Sequence, residues 1–156
     1  MRETVRVRSE EETCEIARRL ALGLDPGAVV LLFGDLGSGK TTFVRGMAPA
    51  LGIAPGEISS PTFVLLQEYR GSRLTLYHAD LYRLEGPDVD DLGLEDLAAG
   101  PGVLVVEWAE KLPGPLPGAI RVMITDLGGD EREIVIQTGQ DTGLRVSGSG
   151  LSTPGR

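Results

Sequence analysis

The size, composition and charge of the chain exclude several classes of protein. Its 156 residues suffice for one domain with a single core, and a composition of 41% hydrophobic and 24% charged residues is typical of a soluble globular protein. The formal net charge of −8 argues against strong binding of nucleic acid by this chain alone, because affinity for phosphate backbones comes mainly from Lys and Arg.

Cysteine usage and hydropathy favour a cytoplasmic protein without membrane contact. Cys14 is the only cysteine, so no disulfide can form within the chain, as is usual in a reducing compartment. Residues 1–12 are charged and do not resemble a signal peptide. No stretch approaches the roughly 20 apolar residues that a membrane-spanning helix needs.

The first quarter of the chain predicts a strand, a helix, a strand and the start of a helix. Residues 4–8 alternate at period two, and Ser9 with Glu12 three residues later has the capping-box pattern that opens a helix. The continuous apolar run of residues 28–33 predicts a strand covered on both faces. A glycine-rich segment follows, and residues 41–51 predict the next helix.

The middle of the chain predicts a hairpin and a helix. Residues 63–70 and 73–80 flank Gly71 and Ser72, which predicts two antiparallel strands joined by a tight turn. Residues 89–99 then predict a helix, although Gly93 inside that segment weakens the pattern.

The last third predicts a buried strand, a second hairpin and a tail. Residues 103–106 are continuously apolar, and residues 119–125 and 131–138 flank a polar turn. The mixture of helices, parallel-type strands and hairpins favours an α/β domain over residues 1–138, with a mixed central sheet and helices on its faces. Residues 139–156 are rich in Gly and Ser and predict a disordered tail.

The strongest motif is the octapeptide GDLGSGKT at residues 34–41. It matches G-x-x-x-x-G-K-[ST] between an apolar strand and a helix, as a P-loop requires, so the domain is predicted to be P-loop NTPase-like. Glycines let the backbone approach phosphate oxygens that a Cβ would obstruct, and N–H groups at a helix N-terminus bind the anion. The residues expected to bind the phosphates of ATP are Gly34, Gly37, Ser38, Gly39, Lys40, Thr41 and Thr42. The alternative is a glycine-rich turn without a ligand.

Two acids at strand ends complete the predicted site. A P-loop protein needs a carboxylate after another buried strand to help hold Mg²⁺ together with the hydroxyl of Thr41, and Glu107 has that position. Asp80 ends another predicted strand, where it can position the attacking water, accept its proton or bind the metal through a water. The alternatives are a surface carboxylate at Glu107 and a cap of the following turn at Asp80.

Four other features leave alternatives open. His78 is the only histidine and fits a packed or hydrogen-bonded residue better than a catalyst. Arg83 fits a structural ion pair with Asp80 better than an arginine finger. Residues 59–62 (SSPT) lie either near the γ-phosphate or in an ordinary proline turn, and Trp108 lies either beside the nucleotide or in the core.

Taken together, the motifs resemble those of the bacterial TsaE family, formerly called YjeE. The matching segments are residues 34–43, the S-P-T-F of residues 60–63, the D-L-Y-R of residues 80–83 within H-x-D-L-Y-R, and the E-W of residues 107–108. The resemblance covers about residues 9–138. Ala79 replaces the usual bulky apolar residue, and Ala109 stands where the family often has Pro, but neither change removes a polar group.

The resemblance implies a function and a set of site residues. Members of the family are small P-loop ATPases needed for threonylcarbamoyl-adenosine, a modification beside the tRNA anticodon. They act with a TsaD–TsaB pair and reset that complex between turnovers, so tRNA is reached only through the complex. Thr41 and Glu107 match the Mg²⁺ ligands, and Asp80 matches a position implicated in hydrolysis. Glu10 and Arg132 match positions near the rest of the nucleotide.

Three rival functions follow from the same motifs. A small-molecule kinase would share the P-loop but needs an acceptor pocket and usually an Arg-rich lid, which the sequence does not show. A GTPase commonly carries N-K-x-D, and this chain has no Asn. A non-hydrolysing module, in which the nucleotide only stabilises a binding surface, is the third. Nucleotide-binding proteins that depend on a partner often hydrolyse slowly alone, because the partner completes the catalytic site. We therefore expect an ATPase with weak intrinsic activity.

Overall fold

The computed structural model describes residues 1–35, 37–58, 66–84, 88–89, 92–98, 100–114 and 116–138. Within these ranges the chain forms one sheet with helices on its faces. The elements are β1 (Arg2–Val7), α1 (Glu10–Leu22), β2 (Val29–Phe33), α2 (Lys40–Leu51), β3 (Leu66–Tyr69), β4 (Leu76–Asp80), α3 (Leu94–Ala98), β5 (Val103–Glu107), β6 (Ile120–Gly128) and β7 (Glu131–Gln137). Two 3₁₀ turns, Pro55–Glu57 and Ala109–Lys111, complete them.

In the described part of the chain the sheet is mixed, with seven strands in the order β1-β7-β6-β2-β5-β4-β3. The four central strands β6, β2, β5 and β4 run parallel, and antiparallel pairs flank them on both sides. All five residues of β5 are buried, as expected for a strand at the centre of a sheet covered on both faces. The parallel register places Asp80 beside Glu107, so the carboxyl ends of β4 and β5 meet at one edge of the sheet.

Helices α1 and α2 cover one face of the sheet and pack closely against each other. Gly46 makes this approach possible, because a Cβ at that position would lie 2.5 Å from the Cα of Cys14 and 3.0 Å from the Cβ of Ala17. The guanidinium of Arg73 then ties the ends of both helices together. It donates to the carbonyls of Ala50 (2.8 Å), Leu24 (3.2 Å) and Ala21 (2.6 Å).

A second cluster of apolar residues covers the other face over β2, β5 and β4. It includes Leu81 and Leu84 after β4, Leu94 of α3, and Leu116 before β6. These segments fix the backbone on either side of the edge where the central strands end. None of the helices in the described ranges combines the length and apolar character needed to cross a bilayer.

The first and last strands close the far edge of the sheet together. β1 pairs antiparallel with β7, from Arg2 beside Gln137 to Val7 beside Arg132. The backbones of Met1 and Thr138 extend this ladder by two further hydrogen bonds, each 2.9 Å long. The ends of the described domain therefore lie next to each other.

The predicted mixed sheet, the antiparallel pairing of β3 with β4 and of β6 with β7, and the Ser9 cap of the first helix are confirmed. Residues 63–65, predicted as part of the first hairpin, lie outside the described residues. Ser9 Oγ accepts from the backbone N–H of Glu12 at 3.1 Å, while the Glu12 carboxylate accepts from the N–H of Arg8. The bounds differ slightly, since the first strand begins at Arg2 and β6 continues to Gly128.

Two local predictions are wrong. The first hairpin does not close in a two-residue turn, because β3 and β4 are joined by residues 70–75. A Cβ at Gly71 would lie 2.1 Å from the Leu51 carbonyl, and Ser72 donates to Gly52, so the loop is shaped by its contact with the end of α2. The helix predicted over residues 89–99 is interrupted at Gly93, where φ is +71°, and α3 starts only after it. Residues 139–156 lie outside the described residues, so the tail stays a prediction.

Candidate nucleotide-binding site

A cleft of about 520 Å³ opens where the central strands end and helices α1 and α2 begin. The cleft joins the first turn of α1, the glycine-rich loop, the ends of β4 and β5, and the start of β7. The lining residues are Ser9, Glu10, Thr13, Gly37, Ser38, Gly39, Lys40, Thr41, Thr42, Asp80, Tyr82, Arg83, Glu107, Trp108, Asp130 and Arg132. Most of the residues predicted for the site are therefore gathered in one place.

The glycine-rich loop has the backbone that its sequence predicts. Gly39 is the N-cap of α2 at φ +110°, a left-handed conformation that favours glycine, and no atom lies near the position of a Cβ there. Gly34 does not line the cleft, but a Cβ on it would lie 2.6 Å from both the Ile124 carbonyl and Ser38 Oγ. Ser38 Oγ is buried and has no hydrogen-bond partner among the described residues. The loop thus combines a buried Ser38 hydroxyl, which lies close to Gly34, with an open backbone at Gly39.

Lys40 lies inside this loop, with only 4% of its surface exposed. Its ammonium donates to the carbonyls of Gly34 and of Asp35, the latter at 3.0 Å, and lies 4.0 Å from the centre of the Trp108 ring. Burial lowers the pKa of Lys40, while the nearby carboxylates Glu107, Glu110 and Asp80 oppose that shift. A cation held this way can move onto an anion that enters the cleft.

Thr41 and Glu107 form the oxygen pair that the sequence predicts. The Thr41 hydroxyl lies 3.2 Å and 3.1 Å from the two carboxylate oxygens of Glu107. Glu107 is 3% exposed, and its Oε2 is 2.6 Å from Nε2 of the fully buried His78. His78 is thus hydrogen-bonded in the interior, as expected, and it fixes the orientation of the Glu107 carboxylate.

Asp80 has features of both roles considered for it. Its carboxyl group lines the cleft, and burial raises its pKa, as does the charge of Glu107, while a hydrogen bond from the Tyr82 amide opposes the shift. That bond, from Tyr82 N–H to Asp80 Oδ1, is 2.9 Å long and caps the turn after β4. Asp80 can therefore face a bound molecule while one of its oxygens stabilises the turn.

Arg132, on β7, donates hydrogen bonds to the glycine-rich loop. Nε donates to the Ser38 carbonyl at 2.9 Å, and Nη2 lies 3.4 Å from the Gly37 carbonyl. Nη1 donates to Asp126 at 3.1 Å and to two backbone carbonyls of the β6–β7 turn. Its donors are therefore shared between the glycine-rich loop and the β6–β7 segment. Glu10, in the first turn of α1, lines the same cleft.

Trp108 combines the two positions considered for it, because its ring packs against the second apolar cluster and also lines the cleft. Its backbone is left-handed at φ +59°, which is uncommon outside glycine. The indole contacts Lys40 on the cleft side and Tyr82, whose ring centre is 4.8 Å away. Sequence reasoning did not single out Tyr82, although its place two residues after Asp80 was a usable signal.

The ion pair expected between Arg83 and Asp80 is not formed. Arg83 is exposed and lines the cleft, and no ion pair among the described residues includes it. Oδ1 of Asp80 instead accepts from the Tyr82 amide, a local contact that sequence spacing does not reveal. Residues 59–62, considered for the γ-phosphate side, lie outside the described residues. Ser9, Thr13 and Asp130 line the cleft without having been predicted.

Comparisons with known proteins agree with this picture. The family model described as "Threonylcarbamoyl adenosine biosynthesis protein TsaE" matches residues 7–134. The tRNA threonylcarbamoyladenosine biosynthesis protein TsaE of Bacillus subtilis is 46% identical over 125 residues, which are 80% of this chain and 78% of the relative. Its namesake in Treponema pallidum is 43% identical over 131 residues, which are 83% of this chain and 96% of the relative.

A solved structure extends the similarity to the fold. The crystal structure of Bacillus subtilis YdiB superposes with a TM-score of 0.71 at 39% identity, covering 88% of this chain and 86% of that chain. The α/β fold and the resemblance first suggested by four short motifs are thereby confirmed. The chain belongs to the TsaE family, whose role is in the biosynthesis of threonylcarbamoyladenosine in tRNA.

Proposed function

We propose that this protein is a magnesium-dependent ATPase with weak intrinsic activity, and that it works with a TsaD–TsaB complex in the modification of tRNA. The observation that carries the proposal is the meeting of Thr41 and Glu107, 3.1 Å apart, at the start of the helix that follows the glycine-rich loop. A hydroxyl and a carboxylate at this point of a P-loop fold are the usual protein ligands of a nucleotide-bound Mg²⁺. Family membership supports a role in tRNA modification, and the residues of the cleft support the proposed ATP hydrolysis.

The cleft fits the phosphates of ATP. Gly37 and Gly39 both line the cleft, and each leaves open space where a side chain would stand. The start of α2 contributes backbone N–H groups and a favourable dipole for anions. In this proposal Gly34 shapes the loop from below. The residues proposed to contact phosphate are Gly37, Ser38, Gly39, Lys40, Thr41 and Thr42.

The two oxygen ligands also fit Mg²⁺. Mg²⁺ in phosphate sites takes one or two protein oxygens and completes its octahedron with phosphate and water, so Thr41 and Glu107 suffice as protein ligands. His78 holds the Glu107 carboxylate in the orientation that faces Thr41. Bound Mg²⁺ would neutralise charge on the β- and γ-phosphate oxygens.

Hydrolysis requires a water in line with the bond that breaks. The water oxygen forms a bond to the γ-phosphorus, the bond from that phosphorus to the bridging oxygen breaks, and its electron pair stays on ADP. Asp80 is proposed to orient the water and accept its proton, and its raised pKa suits a proton acceptor better than that of a fully solvated Asp. Lys40 is proposed to stabilise the charge that develops on the phosphate oxygens.

The rest of the nucleotide is proposed to lie toward Glu10 and Arg132. Both residues line the cleft, Glu10 from the first turn of α1 and Arg132 from β7. Since Arg132 is bonded to the loop carbonyls, its proposed contribution is to fix the loop that holds the phosphates, in addition to contact with the nucleotide. The Trp108 ring contacts the ammonium of Lys40, which lies 4.0 Å from the ring centre.

The partner and compartment follow from the family and from charge. With a net charge of −8 the chain is poorly suited to bind tRNA directly, so the proposal routes tRNA through the TsaD–TsaB complex. The cytoplasm is the proposed compartment, since the role of the family lies in the biosynthesis of threonylcarbamoyladenosine in tRNA.

A second candidate is a module that binds ATP without hydrolysing it. The hydrogen bond from Tyr82 to Asp80 favours it, because a carboxylate that caps a turn needs no catalytic task. Bound ATP would then only stabilise the surface that meets the partner.

Phosphate release tests the proposal and separates the two candidates. Release from ATP is measured with and without Mg²⁺, and with and without TsaD–TsaB and tRNA. Slow release that needs Mg²⁺ and accelerates with the partners is the expected result. Tight ATP binding without release under any condition would leave the non-hydrolysing module, and failure to bind ATP would refute both. Lys40→Ala is the matched control, since it should abolish productive binding.

A further inference from the structure

Among the described residues, three cationic side chains line the cleft, and two of them already make hydrogen bonds within the protein. Lys40 donates to two carbonyls of its own loop, and Arg132 donates to carbonyls of both the loop and the β6–β7 turn. Arg83 lines the same cleft and is exposed. Within the described ranges, no hydrogen bond or ion pair occupies its guanidinium. Arg83 therefore retains its full set of donors for a bound molecule.

The backbone that carries Arg83 is held rigidly. Leu81 and Leu84, on either side, are anchored in the second apolar cluster, and the N–H of Leu84 donates to the carbonyl of Leu81 at 3.0 Å. The ammonium of Lys111 bonds to the carbonyls of Tyr82 and Leu84 at 2.7 Å and 3.1 Å. A fixed turn thus presents a free guanidinium, so anion binding orders the Arg83 side chain but does not have to order its backbone.

The position of Arg83 in the sheet decides which part of a nucleotide it can reach. Arg132 lies on β7 and Arg83 follows β4, and β6, β2 and β5 separate these strands. Four spacings of about 4.8 Å place the two backbones on the order of 19 Å apart. The phosphate loop and Thr41 follow β2, between them. If the nucleoside lies toward Arg132, the terminal phosphate is the part nearest Arg83.

We propose that Arg83 binds the terminal phosphate of ATP and thereby makes the protein distinguish ATP from ADP. The proposal rests on the proposed ATP site. A guanidinium offers two parallel N–H donors that match two oxygens of a phosphate, and such charge-assisted bonds are among the strongest polar contacts. ADP offers no phosphate at that position, so Arg83 should contribute little to its binding.

Calorimetric titration with two nucleotides tests the proposal. Mg²⁺-ADP and Mg²⁺-AMPPNP, a non-hydrolysable ATP analogue, are titrated into the unaltered protein, Arg83→Gln and Arg83→Lys. Arg121→Gln is the matched control, because Arg121 is an exposed arginine on β6 that does not line the cleft. We expect Arg83→Gln to weaken AMPPNP binding roughly tenfold and to leave ADP binding within about twofold. Arg83→Lys should fall between, since Lys keeps the charge but loses the paired donors.

Each other outcome has a definite meaning. Equal weakening of both nucleotides by Arg83→Gln, or unchanged AMPPNP binding, would overturn the assignment to the terminal phosphate. Retained ADP binding also reports that the variant is folded. If the unaltered protein bound neither nucleotide, the ATP site itself would be refuted, which is a failure visible before any variant is compared.

Discussion

Asp80 is the residue whose two roles a pair of substitutions can separate. Asp80→Asn keeps an oxygen that can accept the 2.9 Å bond from the Tyr82 amide, but it cannot take a proton from water. Asp80→Ala loses both functions. The two variants therefore differ in the turn and agree in the loss of the proton acceptor.

The expected magnitudes follow from these contacts. Loss of a proton acceptor costs roughly 10²- to 10⁴-fold in rate, which corresponds to about 3–5 kcal/mol in activation free energy. We expect that loss in both variants, with ATP affinity unchanged or slightly tighter, because a negative charge near the phosphates is removed. The turn bond contributes about 1 kcal/mol to the free energy of unfolding, so only Asp80→Ala should lower Tm, by a few degrees.

The assay combines single-turnover phosphate release, ATP titration and thermal unfolding. Asp96→Asn is the control, because Asp96 is an exposed acid in α3 that does not line the cleft. If Asp80→Asn released phosphate within about threefold of the unaltered rate, the proposed proton transfer would be refuted and Asp80 would remain a turn cap.

Four further predictions test the site and the fold. Glu107→Gln should raise the Mg²⁺ concentration needed for nucleotide binding about tenfold, and an unaltered Mg²⁺ titration would contradict its role as ligand. Arg132→Gln should weaken Mg²⁺-ATP binding roughly fivefold in calorimetry, because the loop loses its bonds at Ser38 and Gly37; equal affinity would show that the loop needs no brace. Arg73→Gln should lower the free energy of urea unfolding by about 1–2 kcal/mol through its carbonyl contacts, whereas Arg70→Gln, at an exposed pair with Glu68, should change it little. Burial raises the pKa of Cys14, so a maleimide should label the folded protein more slowly than the urea-unfolded protein at the same pH, and equal rates would contradict that shift.

The sequence predicted those parts of the fold that depend on neighbouring residues. The Ser9 side chain caps a helix by accepting from the backbone N–H of Glu12, three residues later. The apolar run before Glu107 becomes a buried strand because every residue in it is apolar and is stabilised by burial. The spacing of the loop residues likewise places Lys40 and Thr41 at a helix start in any P-loop context. These signals depend on residues close together in sequence, so they can be recognised without knowledge of the tertiary contacts.

The missed features depend on contacts between distant segments. Gly71 looked like part of a tight turn, but its conformation is set by α2, some 20 residues earlier in the chain. Proximity in sequence predicts an ion pair between Arg83 and Asp80, but in the fold Arg83 lines the cleft without an ion pair among the described residues, and Oδ1 of Asp80 accepts from the Tyr82 amide. The indole of Trp108 contacts Lys40, which lies 68 positions earlier in the chain, and no periodicity predicts such a contact.

The pairing of the first strand with the last has a consequence for how the protein is made. Within the described domain β1 is synthesised first, but among the described strands its one neighbour in the sheet is β7, which ends at Gln137. During synthesis β1 therefore cannot pair with β7 until almost the whole described domain has been made. The cleft is also completed late, because Glu10 lies shortly after β1 whereas Arg132 belongs to β7. A nascent chain can thus assemble the phosphate loop on its central strands early, whereas the far end of the cleft closes only when the final hairpin has emerged.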